Sequence, residues 1–98
     1  MIDNLIDKTI EWHYARNLIN GSTDKDQHFK LIEEMLELQK SIITGRDIKD
    51  DVGDIMVVLI NMAERNGTSL EECLAVAYDD IKDRTGKMVD GIFVKDAA

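Results

Sequence analysis

Two short acidic clusters are the part of this 98-residue chain best equipped for chemistry. Glu34 and Glu37 stand three apart within LIEEMLELQK, and Glu33 lies four before Glu37. Asp51 and Asp54 repeat that spacing in KDDVGDI, with Asp50 four before Asp54. Residues three or four apart share a helix face, so each cluster directs its carboxylates to one side. Carboxylates gathered between apolar stripes must protonate, push apart or share a cation. Oxygen-only ligation with spare water positions suits a hard divalent ion such as Mg²⁺. The competing reading is a solvated helix face. Against it stand the apolar neighbours Val52, Ile55 and Met56. Gly53 also argues against it: a mid-helix glycine costs about 1 kcal/mol relative to Ala and suggests that a backbone or ligand comes close there.

Such clusters need two helices side by side. Apolar spacing predicts a first helix from Ile2 to about Leu18, with Ile2, Leu5, Ile6 and Ile10 inward. Residues 19–26 read as a loop, with Asn20-Gly21 as a turn pair and Ser22, Thr23 and Asp24 as candidate caps. A second helix runs from about Asp24 to Thr44, burying Ile32, Met35, Leu36, Ile42 and Ile43, and Gly45 ends it. A third spans about Asp47 to Asn66 with the stripe Ile48, Val52, Ile55, Leu59 and Met62. A fourth opens on the capping-box pattern Ser69-Leu70-Glu71-Glu72 and reaches about Arg84, with Leu70, Leu74, Ala77 and Ile81 inward. The short turn at Gly45 makes the second and third helices antiparallel neighbours. Glu37 lies about eight residues before that turn and Asp54 about nine after, so at ~1.5 Å per residue they stand at nearly one height. Beyond Gly86 the periodicity fades. Residues 86–98 read equally well as an extended arm, laid on the helices or a second subunit, and as a frayed tail.

Composition narrows the classes. The chain is one domain, residues 1–98, too short for two cores. Its net charge of -8 disfavours binding a nucleic-acid polymer through a basic face. There is no Pro, which favours uninterrupted helices, and a lone Cys73 excludes an internal disulfide and a multi-cysteine zinc site. No apolar run approaches the ~20 residues that span a bilayer, and the first residues do not form a secretory signal. The expectation is an all-α helical bundle of about four helices in antiparallel hairpins, in the cytoplasm, with no membrane partner. The third helix is apolar over most of its circumference, from Ile55 to Met62, and needs cover on more than one side. A homodimer or homotetramer is therefore expected.

The order Glu33-Glu34-x-x-Glu37, a short gap, then Asp51-x-x-Asp54 and an apolar helix resembles the MazG-like all-α nucleoside triphosphate pyrophosphohydrolases. The likeness extends through WHYARNLINGST (residues 12–23), QHFKLIEE (27–34) and AYDDIKDRTGKM (77–88), covering roughly Trp12 to Val94. Asp51 departs from the pattern, which usually carries Glu there. The resemblance implies Glu34, Glu37, Asp51 and Asp54 as ligands of Mg²⁺, with Mn²⁺ as a substitute, and Glu33 either as general base or as a carboxylate supporting the ligands from behind. It implies hydrolysis of an NTP or dNTP between the α and β phosphates, giving a monophosphate and pyrophosphate. It also points to Trp12 for base stacking, Asn17 and Gln27 for a base edge, and Arg16, Lys30, Lys82, Arg84 and Lys87 for phosphates. Read without it, Trp12 is more often core, and most surface cations are merely solvated. His13 and His28 lack metal spacing, Cys73 reads as a buried small hydrophobe, and Met35, Met56 and Met62 read as core. The rival class is a non-enzymatic acidic helical module that binds a protein. A catalyst concentrates its acids near Glu34 and Asp54, whereas such a module spreads them outside.

Overall fold

The helices form where local signals place them. In the computed structural model, which describes residues 1–97, they are α1 (Ile2–Ala15), α2 (Asp24–Thr44), α3 (Lys49–Arg65) and α4 (Leu70–Ile81). α1 stops short of Leu18 because Asn17 turns into the left-handed region at φ 58°, which Asn tolerates better than most residues. α2 opens on a reciprocal capping box: the Asp26 amide donates to Thr23 Oγ1 and the Thr23 amide donates to the Asp26 carboxylate, both at 3.1 Å. It closes on Gly45 at φ 72°. At α4 the box is incomplete. The Glu72 amide donates to Ser69 Oγ, but the Glu72 carboxylate accepts from Thr68 Oγ1 at 2.8 Å instead of from the Ser69 amide.

The architecture is mostly helical but not strictly all-α. Residues beyond Thr85 form an antiparallel hairpin, β1 (Gly86–Val89) and β2 (Ile92–Lys95), with Val89 opposite Ile92 and Met88 opposite Phe93. Asp90 and Gly91 both take positive φ, the two-residue turn whose twist suits a hairpin. Among the described residues the hairpin packs against no helix, so the arm neither lies on the helices nor frays. Among the described residues no helix is long and apolar enough to cross a membrane.

α2 and α3 make the most extensive helix pair, α1 crosses α3, and α4 packs on α3 with its first turns bordering grooves shared with α1. The buried apolar core is small: Ile19, Val58, Ile60 and Ala63. Most residues expected inside are exposed. On α2 these are Ile32, Met35, Leu36, Ile42 and Ile43, while Gln27, Leu31, Glu34, Leu38 and Ser41 face inward instead. On α3, Ile48, Val52 and Leu59 stay exposed; on α1, Ile2 and Leu5; on α4, Leu74, Ala77 and Ile81. Cys73 is exposed too. The radius of gyration is 16.1 Å, against about 13 Å for a compact chain of this length. The protomer leaves much of its apolar surface uncovered, which accounts for the misplaced core.

Candidate functional site

The site is built on the facing sides of α2 and α3. Glu34 belongs to the inward stripe of α2, and its side chain is only 14 % exposed. Asp54 on α3 lies near enough for the charge of Glu34 to act on its carboxyl. Glu37, three residues on, falls about 60° round the helix from Glu34 and is exposed. Helix phase, rather than height above the turn, therefore decides that Glu34 and not Glu37 meets Asp54. Asp51 is half-buried on α3, and Glu33 is exposed.

The carboxylates disturb one another. Burial holds the Asp54 carboxyl above the usual carboxylate range, and the negative charges of Asp50, Glu34 and Asp51 push it in the same direction. One cation sits within this group: Lys30 Nζ lies 3.2 Å from Glu34 and 3.4 Å from Glu33. Among the described residues no three acidic, histidine or cysteine side chains already converge on one point. The donors fit a hard cation in kind, being all oxygen, and their mutual repulsion is what a cation would relieve. Glu37 and Asp51 are not gathered with Glu34 and Asp54 into such a group.

Asp54 also borders an open groove of about 440 Å³ lined by Leu5, Lys8, Thr9, Trp12 and Val57. Trp12 is 44 % exposed, so it is not core. The Arg16 guanidinium lies 4.4 Å over its ring, a cation–π contact, and Arg16 also donates to the Trp12 carbonyl at 3.2 Å. α1 is held against α3 by buried His13, whose Nε2 lies 2.9 Å from the Val57 carbonyl and whose Nδ1 lies 3.3 Å from Asn61 Nδ2. With Nε2 protonated, the imidazole donates to Val57 and accepts from Asn61. Asn61 also donates to the Leu18 carbonyl, and its own Oδ1 is buried without a partner. Gly53 borders the neighbouring apolar groove, but a Cβ there would meet nothing within 4 Å. The close approach expected at Gly53 is absent from the protomer.

The remaining candidates fall into two groups. Asn17 shapes the turn, its carbonyl accepting from the Gly21 amide at 3.1 Å. Gln27 donates to Ser22 Oγ at 2.9 Å inside the α2 entry loop. Lys82 pairs with Asp79 at 2.7 Å and Arg84 with Asp80 at 2.9 Å, each on its own segment. Lys87 is exposed on β1. α4 meets α1 only through its first turns, and Lys82, Arg84 and Lys87 lie at or beyond its other end, so among the described residues the protomer does not join these three cations to the acidic pair. Sequence reading placed Asp50 on the face of Asp54 but missed Lys8 and Thr9 as groove residues. Their signal was the spacing Leu5, Lys8, Thr9, Trp12, one face of a helix. It also left undecided whether His13 was structural or exposed.

No family model matches the chain, and no solved structure matches it. Over 67 residues, 66 % of the chain, it is 36 % identical to a protein of Haemophilus phage HP1 (strain HP1c1), described as an uncharacterized 18.2 kDa protein in the rep-hol intergenic region. The matched stretch spans 41 % of that relative's length.

Proposed function

We propose that the chain is a Mg²⁺-dependent nucleoside triphosphate pyrophosphohydrolase of the MazG-like kind. In this reading it cleaves an NTP or dNTP between the α and β phosphates. The observation that carries the reading is the apposition of Glu34 and Asp54 across two helices, beside Asp50 and Asp51, on a groove shared with an accessible Trp12. Glu34, Asp51 and Asp54 would hold the cation, with Glu37 turning in from the exposed edge; Mn²⁺ would substitute. When bound, the cation neutralises triphosphate oxygens and lowers the pKa of a coordinated water. A chain of net charge -8 needs such a cation to accept a polyanion.

The chain's own residues would do the rest. Trp12 offers a ring for a base, with Arg16 stiffening it from one face. Lys8 on the groove wall and Lys30 beside Glu34 are the cations nearest the acids, so they take the phosphate role better than Lys82, Arg84 or Lys87. Glu33 is the proposed acceptor of the water's proton. The reading includes a homo-oligomer and a cytoplasmic setting, and it assigns no role to a membrane or nucleic-acid polymer.

Phosphorus NMR of the products, after incubation with each nucleoside triphosphate and Mg²⁺, tests it. Monophosphate plus pyrophosphate is expected. Diphosphate plus orthophosphate would make the protein a phosphatase, and no hydrolysis with either metal would favour the acidic docking module. Trp12→Ala should raise KM about 5- to 150-fold if the ring stacks on the base, the equivalent of ~1–3 kcal/mol. A lowered melting temperature with unchanged KM would remove Trp12 from the substrate site.

A further inference from the structure

α2 carries two opposite stripes. Gln27, Leu31, Glu34, Leu38 and Ser41 face α3. About 180° round the helix lie Phe29, Ile32, Leu36, Gln39 and Ile43, all exposed, with Leu36 59 % and Ile43 76 % open. The outer stripe advances by three, four, three and four residues, the repeat that packs one helix along another as a coiled-coil seam. Among the described residues nothing covers it.

Over the whole protomer, its unpacked hairpin included, the uncovered area is of the size an obligate interface needs. The protomer exposes 7718 Å², whereas a compact monomer of this mass exposes roughly 5,700 Å². The excess of roughly 2,000 Å² lies within the share each subunit contributes to an obligate homodimer.

The flanks of the seam name the occupant. Glu33 and Lys40 border one side, and Met35 and Ile42 the other. If an identical helix lies antiparallel, like flank meets like flank. Glu33 then faces Lys40 of the partner subunit, and Met35 faces Ile42 of the partner subunit. In a parallel pair the charged flank would meet the apolar one, leaving Glu33 against Met35 of the partner subunit. The stripe is thus complementary to itself in one direction only.

We infer that α2 packs antiparallel on α2 of a second copy through Phe29, Ile32, Leu36, Gln39 and Ile43. Ile32 then lies beside Ile43 of the partner subunit, and Leu36 beside Gln39 of the partner subunit. Because Glu34 occupies the opposite side of the helix, the Glu34–Asp54 pair of each copy stays outside the seam, while Glu33 lies at its flank. This inference rests on the homo-oligomer of the preceding section and not on the metal chemistry.

Cross-linking tests the direction and register. In a Cys73→Ser background, chains carrying Ile32→Cys are mixed with chains carrying Ile43→Cys and oxidised mildly. The antiparallel seam gives the mixed disulfide only, because two copies of position 32 stand about 16 Å apart along the axis. Disulfides between identical positions would overturn it in favour of a parallel pair, and no disulfide at all would overturn the seam. By light scattering the unmodified chain should have twice the 11.1 kDa chain mass, and Leu36→Asp should return it to the single mass. An undiminished dimer mass in Leu36→Asp would place the interface elsewhere. If Leu36→Asp does not fold, the cross-link pattern still decides. A chain that cross-links as expected yet hydrolyses nothing keeps the seam and loses the enzyme, and the converse result does the reverse.

Discussion

At the scale of single residues, Asp54 is the most constrained group. Its carboxyl is raised by burial and by Asp50, Glu34 and Asp51, so the folded state binds its proton more tightly than the unfolded chain does. The sign follows from linkage: as pH rises through the unfolded and then the raised folded value, ionised Asp54 costs stability. Metal-free protein should therefore gain stability as pH falls through that window toward the ordinary carboxylate value of about 3.9. Asp54→Asn should be more stable than the parent at neutral pH and should lose this part of the pH dependence, read by urea melts at several pH values. Calorimetry should find its Mg²⁺ binding abolished. Lys30 competes for the same oxygens, because Glu34 and Glu33 already hold its ammonium. Lys30→Met should tighten Mg²⁺ binding about two- to fivefold, the equivalent of the up to ~1 kcal/mol that an exposed ion pair contributes. Weaker Mg²⁺ binding would show that Lys30 supports the site instead of shielding it.

At the scale of elements, the seating of α1 sets the geometry of the groove. Its buried polar link is His13, between the Val57 carbonyl and Asn61. Apolar contact from Ile6 and Ile10 is partial, and Ile2 and Leu5 are exposed. Removing the imidazole leaves one N–H of the Asn61 amide without its acceptor, the other still donating to the Leu18 carbonyl, at a cost of about 1–3 kcal/mol. His13→Ala should therefore loosen α1, lower the melting temperature and speed hydrogen exchange at α1 amides more than at the α2–α3 hairpin. Uniform exchange across all helices would show that α1 unfolds only with the rest. The C-terminal hairpin is the opposite case. Its turn is legible in the sequence, since Asp90-Gly91 between apolar pairs is a strong hairpin signal, but one with a period of two that a helical period does not register.

At the scale of the whole molecule, the protomer has too little core to stand as a compact unit. Four buried apolar residues and a radius of gyration of 16.1 Å describe a structure whose largest apolar stripes face outward. If copies of the chain cover those stripes, folding and association are linked, and stability depends on concentration. The melting temperature should rise by several degrees between about 1 and 100 μM chain, because a hundredfold dilution is worth ~2.7 kcal/mol at a dimer interface. A melting temperature independent of concentration would mean that the protomer holds itself together.

Local chemistry determined what the sequence showed correctly. The existence of four helices, the stop at Gly45, the antiparallel pairing of α2 with α3 and the location of the acids all follow from caps, turns and spacing within a few residues. Those interactions form between near neighbours, whatever the rest of the chain does. What the tertiary structure alone decided is which stripe of each helix faces in. On α2 the period marks both Gln27, Leu31, Glu34, Leu38, Ser41 and Phe29, Ile32, Leu36, Gln39, Ile43, and apolar content alone favours burying the second. The structure buries the first, which brings Glu34 rather than Glu37 to Asp54. Burial of apolar surface is non-directional and does not depend on whether the covering surface belongs to the same chain. A helical period therefore names the faces, and only the packed molecule says which face meets its own chain.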